Sequence, residues 1–326
     1  MSRKSQEILL LVFIIFIFFQ IVFLTPKSVE KTDLINEIEQ SSPMGNKGDQ
    51  RMEGVHLVEG QGDSKEWELY SEIADGFIGQ GVWKLKVVRV IFYSQAGDTY
   101  TVVGDQGEIN YATKDIVISG KVFTSSSNGY EVKTNLVQYI SKDKILKIPN
   151  EISVVGPKDN FGYRLFLKST GMETFLENSL MIMKSKITAE RTLNTSSGPK
   201  LVRIKSGMAH LSGKSNLLRF FEKVKISYEK FEVLAPEAFF VYKEKNDSPE
   251  SILINGGVLI EGEQRQATAE NVKIDVLQDQ YVLRGSPKVV QDGDEIKGER
   301  IIFLNGGESV RVENANAVLD DTTDKK

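Results

Sequence analysis

Ile116-Val117-Ile118-Ser119-Gly120-Lys121-Val122 and Ile252-Leu253-Ile254-Asn255-Gly256-Gly257-Val258 are one phrase written twice: aliphatic, any residue, aliphatic, any residue, Gly, any residue, Val. Tyr281-Val282-Leu283-Arg284-Gly285-Ser286-Pro287-Lys288-Val289 is a looser copy. A period of two turns the aliphatic pair to one face of a strand, Gly permits a bend or bulge, and the next Val starts a new stretch on the same wall. Working outward, Val88, Val90 and Phe92 alternate with Arg89, and Ile116, Ile118 and Val122 alternate with Ser119 and Lys121. Short runs of this kind, bounded by Gly, Asn, Asp or Ser, recur as far as Val318. Generic hairpins use the same vocabulary, but recurrence over two halves of the chain favours stacked, repeated sheet units. The expected fold class is all-β behind an N-terminal transmembrane helix.

Length and composition bound the function. The chain has 326 residues, room for one large or two ordinary domains. Lys+Arg 41 against Asp+Glu 45 leaves a net charge of −4, so no basic field exists to hold the phosphates of a nucleic acid. The absence of Cys excludes a disulfide scaffold and a cysteine zinc site.

The N-terminus carries the one concentrated apolar block. Ile8 to Leu24 is a run of 17 residues broken only by Gln20 and preceded by Arg3 and Lys4. At about 1.5 Å per residue it spans roughly 25 Å, short of a ~30 Å hydrocarbon core by a gap that snorkelling of flanking residues or thinning of the bilayer closes. The competing reading is a cleaved signal peptide, but Phe23-Leu24-Thr25-Pro26-Lys27 lacks the small-residue site such a peptide ends on. An uncleaved anchor from Ile8 to Leu24 is therefore expected, with Arg3 and Lys4 in the cytoplasm and the rest of the chain outside it. Residues 25–52 read as a polar stalk, helical around Thr32 to Glu39, followed by a first β domain at 53–190. A linker is expected at 191–199, where Asn194-Thr195-Ser196-Ser197-Gly198-Pro199 is almost devoid of apolar residues. A second β domain follows at 200–319, with a solvated loop at 243–250 and a tail at 320–326.

Sites of chemistry are hard to find. His56 and His210 lie in different regions with no partner at a metal-ligand spacing. No Gly-x-Ser-x-Gly elbow or dinucleotide fingerprint occurs, and Gly213-Lys214-Ser215 fails as a phosphate loop because Met208 stands where its first Gly belongs. Carboxylates fall mostly at turns or on the polar beat of strands. No enzyme, cofactor or metal site is expected. Two physical uses remain for an anchored sheet: an exposed edge strand onto which another chain adds strands, or an apolar trough for lipid. About a dozen methylenes at roughly 0.8 kcal/mol each oppose release of one acyl chain into water by about 10 kcal/mol, and a continuous apolar wall removes that barrier. The inward beat that supplies such a wall is Val88, Val90, Phe92, Ile116, Ile118, Val122, Ile252, Ile254, Ile274, Val276, Tyr281 and Leu283. The same pattern describes a filled sandwich core, and at this point both stay open.

Placed behind an N-terminal anchor, Trp67-Glu68-Leu69-Tyr70-Ser71-Glu72-Ile73-Ala74, Val88-Arg89-Val90-Ile91-Phe92 and Ile118-Ser119-Gly120-Lys121-Val122 resemble the LptC family over about residues 5–190. That family is the bitopic inner-membrane component of the lipopolysaccharide-transport bridge of Gram-negative bacteria. The second region is similar to the LptA/OstA-type domain of the same bridge. There the matching stretches are Ala267-Thr268-Ala269-Glu270-Asn271-Val272-Lys273-Ile274, Tyr281 to Val289, Ile296-Lys297-Gly298-Glu299-Arg300-Ile301 and Val310-Arg311-Val312. The resemblance implies two open β-jelly-roll units, head-to-tail stacking on LptA- or LptD-like partners through edge strands, and lipopolysaccharide acyl chains along an inner groove. It also implies an inner-membrane ABC transporter as the partner that hydrolyses ATP. Two other classes compete: an anchored β-solenoid scaffold with closed cores, and an envelope glycan enzyme with paired carboxylates. A groove wall at Ile118 or Leu283 is expected to tolerate Asp, whereas a sealed core is not.

Overall fold

The structure is a computed structural model that describes residues 49–318, apart from 63, 213–216, 230, 243–247, 263–264 and 308. The expected anchor at Ile8–Leu24, nearly all of the stalk and the tail lie outside the described residues.

The first strands are β1 (Gln50–Gln61), β2 (Ser64–Phe77), β3 (Val82–Tyr93), β4 (Thr99–Asn110), β5 (Ile116–Ser126), β6 (Glu131–Ile140), β7 (Ile145–Val155), β8 (Phe166–Phe175) and β9 (Leu180–Thr195). There follow β10 (Gly198–Ser206), β11 (Met208–Ser212), β12 (Leu217–Tyr228), β13 (Phe231–Tyr242), β14 (Pro249–Glu261) and β15 (Arg265–Asp275). The chain closes with β16 (Gln280–Arg284), β17 (Lys288–Gln291), β18 (Asp294–Lys297), β19 (Arg300–Leu304), β20 (Ser309–Glu313) and β21 (Asn316–Val318). All join in one 21-stranded antiparallel sheet in which most strands pair with their neighbours in sequence; β10 and β11 both lie between β9 and β12, β16 and β17 both pair with β15, and β16 pairs on with β19 and β18 with β21. The expected all-β class is met, and both expected units share this one sheet.

A crease runs across it. Register shifts fall mid-strand in successive pairs: at Val103/Gln106 between β4 and β5, Ser119/Val122 between β5 and β6, Ile148/Glu151 between β7 and β8, Phe221/Val224 between β12 and β13, and Asn255/Val258 between β14 and β15. Bulges sharpen the bend of a strand, and a line of them folds the sheet on itself. The repeated glycines sit on this line: Gly120 has φ 100 and Gly256 has φ 94, conformations closed to other L-residues at low cost. Each long strand thus contributes half its length to one layer and half to the other. Between the layers lies the core, where Phe92 of one layer meets Tyr139 of the other at 4.7 Å.

Residues 191–199 are not a linker. They form the end of β9, a turn at Ser196-Ser197 and the start of β10, paired from Gly198↔Thr195 to Ser206↔Ile187. The polar composition misled because Thr192 and Asn194 occupy the outward beat, while Arg191, Leu193 and Thr195 are buried. Arg191 reaches back to Asp159 at 3.0 Å, an ion pair only 3% and 1% exposed. The stalk boundary also shifts, since β1 already begins at Gln50.

Candidate functional site

The interior between the layers is the feature to which every strand contributes. Eleven of the twelve inward-beat residues, all but Tyr281, are buried there, and Tyr281 is partly buried against them. Ile118 is 1% and Leu283 0% exposed, so an Asp at either position would be desolvated between the layers. Four of the twelve, Ile252, Ile254, Ile274 and Tyr281, line an apolar cavity of about 40 Å³ in the second half of the sheet. Its opposite wall comes from residues the sequence reading missed, among them Val202, Ile226, Phe231 and Val233, while Phe303 extends the first wall beside Tyr281.

The first half is filled more completely. Trp67, Phe92, Tyr100 and Tyr139 are at most 2% exposed, and the cavity beside Tyr100 measures only about 10 Å³. Space reopens at the β1 end, where Val55, Trp83, Leu85, Ile109 and Tyr111 line a recess of about 240 Å³.

Where the strand ends of the two layers meet, they form lips joined by a polar seam. Lys114 bridges to Glu59 at 3.4 Å and Lys144 to Glu66 at 2.9 Å. The Ser94 hydroxyl donates to the Leu176 carbonyl, and the Ser179 hydroxyl to Asp98. Further along, the Ser196 N–H donates to the Leu277 carbonyl at 3.0 Å. Between the Lys144 and Ser94 links lies a polar recess of about 490 Å³ lined in part by Lys65, Tyr93 and Glu177, with Tyr139 buried beneath. Burial, and secondarily Glu66, push the Tyr139 phenol up to about 12.

The most enclosed part of the seam stands beside the 40 Å³ cavity. Asp279 is 0% exposed and lies in the turn between β15 and β16. Across the lips, the Lys200 ammonium approaches it at 2.8 Å and the Tyr228 hydroxyl donates at 3.0 Å, while Tyr281 donates from its own layer at 3.1 Å. Burial pushes the Asp279 carboxyl upward, but hydrogen bonds from Lys200, Ser197 and Tyr228 and the charge of Lys200 outweigh it, so it lies below the usual carboxylate range. Lys200 moves above the ordinary ammonium value: burial opposes this, and Asp279 and Glu229 overcome it.

The histidines serve packing. His56 stacks on Tyr70 at 4.3 Å and lies 3.2 Å from Glu68 on the outer face of β1–β3. Glu68 also accepts from Lys65 at 2.6 Å, Tyr70 at 2.7 Å and Tyr93 at 2.9 Å, and these bonds hold its pKa at about 2. His210 packs edge-on against Phe221, and burial together with Arg219 lowers its pKa. No group of three or more His, Asp or Glu that could hold a metal occurs among the described residues.

The family matches of this creased antiparallel sheet place the protein among the components of lipopolysaccharide transport. Residues 9–192, more than half the chain, match the family described as "Lipopolysaccharide-assembly, LptC-related", and the protein belongs to it. Residues 203–305 match "LptA/(LptD N-terminal domain) LPS transport protein", so an LptA-type segment follows the LptC-type one, as the sequence resemblance leads one to expect. Among solved structures the chain is similar to LptH, the LptA homologous periplasmic component of the conserved lipopolysaccharide transport device from Pseudomonas aeruginosa. That match has 16% identity and a TM-score of 0.33, and it covers 36% of this chain and 94% of the other. No curated protein matches. The protein is a component of the lipopolysaccharide transport bridge, and the families it matches are transport components.

Proposed function

We propose that this chain is a membrane-tethered, non-enzymatic conduit whose two jelly-roll units carry lipopolysaccharide acyl chains between their layers, through the periplasm toward the outer membrane. The observation that carries the reading is the apolar inward face that continues through the sheet from β2 to β19, from Leu69 to Ile301. On this reading the apolar run at Ile8–Leu24 is a single inner-membrane span. An ABC transporter of the Lpt type supplies lipid and hydrolyses ATP. The outer edge of β1 and the strands β20 and β21 at the other end are the edges onto which bridge partners add strands. The scaffold reading gains from the filled interior around Tyr100, and membership of a lipopolysaccharide-assembly family supports the lipid reading.

The test is photo-crosslinking in living cells with a photoreactive phenylalanine at Trp83, at Phe231 and at outward-facing Lys121. The first two line the β1-end recess and the second-half cavity. Lipopolysaccharide adducts at Trp83 and Phe231 but not at Lys121 are expected. Adducts at Trp83 alone reduce the second unit to a spacer, and none at either site refutes the conduit.

A further inference from the structure

A cavity of about 40 Å³ holds three or so water-sized bodies, whereas ligand sites run to about 300 Å³ or more. An acyl chain therefore gains the second unit only if its layers part. The crease allows this, because the layers are joined there by bulged backbone. What opposes parting at the other margin is the seam.

We infer that Asp279 is the latch of that seam: its bonds to Lys200 and Tyr228 hold the lips of the second unit shut, and their release admits an acyl chain sideways into the cavity. The inference rests on the conduit reading and adds to it a route and a controlling residue. Three observations bear on it. The bonds to Lys200 and Tyr228 span the lips, and the adjacent Ser196–Leu277 backbone bond spans them at the same turn. The turn at Asn305–Gly307 covers the pair: the Gly306 N–H donates to the Asp279 carbonyl at 3.0 Å, and a Cβ on Gly306 would stand 2.6 Å from Lys200 Nζ. Finally, Tyr228 and Tyr281 belong at once to the latch and to the cavity lining.

The chemistry suits a latch better than a permanent closure. Two apolar side chains here would hold the lips together and would oppose their separation in water. A buried ion pair forfeits hydration when shut and regains it when open, so it fixes the register of the closed form at little cost to opening. Removing one partner alters this balance, because the other is left charged and buried.

The chain has no Cys, so a pair introduced as Glu232→Cys and Leu277→Cys, both exposed on opposite lips, can carry spin labels alone. Interspin distances are measured on the full chain in lipid nanodiscs, alongside the uptake rate of a fluorescent long-chain fatty acid. The parent is expected to give one short distance. Asp279→Asn is expected to add a longer population and to speed uptake several-fold. Tyr228→Phe, which keeps the ion pair and the ring, is expected to shift both in the same direction by less, and carries the test if Asp279→Asn fails to fold. A distance distribution unchanged in the folded variants overturns the latch. Longer distances with unchanged uptake leave the latch standing and overturn the conduit.

Discussion

Gly256 and Gly257 lie side by side at the crease of β14, with φ 94 and 90, and they separate two costs that usually come together. A Cβ on Gly257 meets nothing within 4 Å, whereas on Gly256 it lies 3.0 Å from Cγ of Pro236 on the neighbouring strand. Gly257→Ala therefore pays backbone strain alone, about 1–3 kcal/mol, less about 0.4–1 kcal/mol regained because the unfolded chain loses freedom. The net loss is about 0.5–2 kcal/mol. Gly256→Ala adds the overpacking against a stiff proline ring, another ~1–3 kcal/mol. Gly79 is the control: its φ is not positive and its Cβ site is open, so Ala there is expected to be neutral or stabilising by up to about 1 kcal/mol. At about 2 °C per kcal/mol for a unit of this size, melting is expected to fall by about 1–4 °C for Gly257→Ala and about 3–10 °C for Gly256→Ala. It is expected to hold or rise slightly for Gly79→Ala. Thermal unfolding followed by circular dichroism measures all three. If both crease variants melt with the control, left-handed backbone does not make the bend, and the account of the fold fails.

Two further predictions concern the interior and the outer face. Ile118→Asp and Leu283→Asp place a carboxylate where exposure is 1% and 0%, and each is expected to cost more than about 4 kcal/mol in urea unfolding, while exposed Lys121→Asp stays within about 0.5 kcal/mol. Near-parental urea midpoints for both core variants would show an interior open to water. For acid, Glu68 has a folded pKa near 2 against an ordinary 4.5, so its contribution is full above pH 4.5 and disappears as pH falls toward 2. Asp279, also lowered, has the same sign below its ordinary 3.8. Urea midpoints are expected to fall over this range, and Glu68→Gln is expected to flatten the fall; equal slopes for parent and variant refute the assignment.

The bend and the strands were legible because each has a local cause. Gly120, Gly256 and Gly285 mark the crease wherever a repeated phrase carries them, and alternation assigns Val88, Val90 and Phe92 to the inside from spacing alone. The Arg191–Pro199 segment was misread because its signal depends on a partner 32 residues away: Arg191 looks like a surface residue until Asp159 is placed beside it. The seam was invisible for the same reason. Asp279, Lys200 and Tyr228 are separated widely along the chain, stand at strand ends where polar residues are ordinary, and acquire a role only when the fold brings two lips together. Cavity walls were half legible, since the inward face follows from periodicity whereas the space between two such faces depends on the sizes of side chains on both.

That dependence bears on how a filled interior can serve transport. On the conduit reading, an acyl chain gains about 0.8 kcal/mol per methylene removed from water. It must displace contacts that the layers already make with each other, such as Phe92 with Tyr139 in the first unit and Tyr228 with Tyr281 in the second. The lost contacts offset part of the gain, so net affinity stays far below the ~10 kcal/mol that a preformed trough would give a dozen methylenes. The offset varies along the sheet, because the interior beside Tyr100 leaves about 10 Å³, the second unit about 40 Å³ and the β1 end about 240 Å³. On the conduit reading each transfer then remains reversible, because neither unit holds its cargo as a preformed trough would.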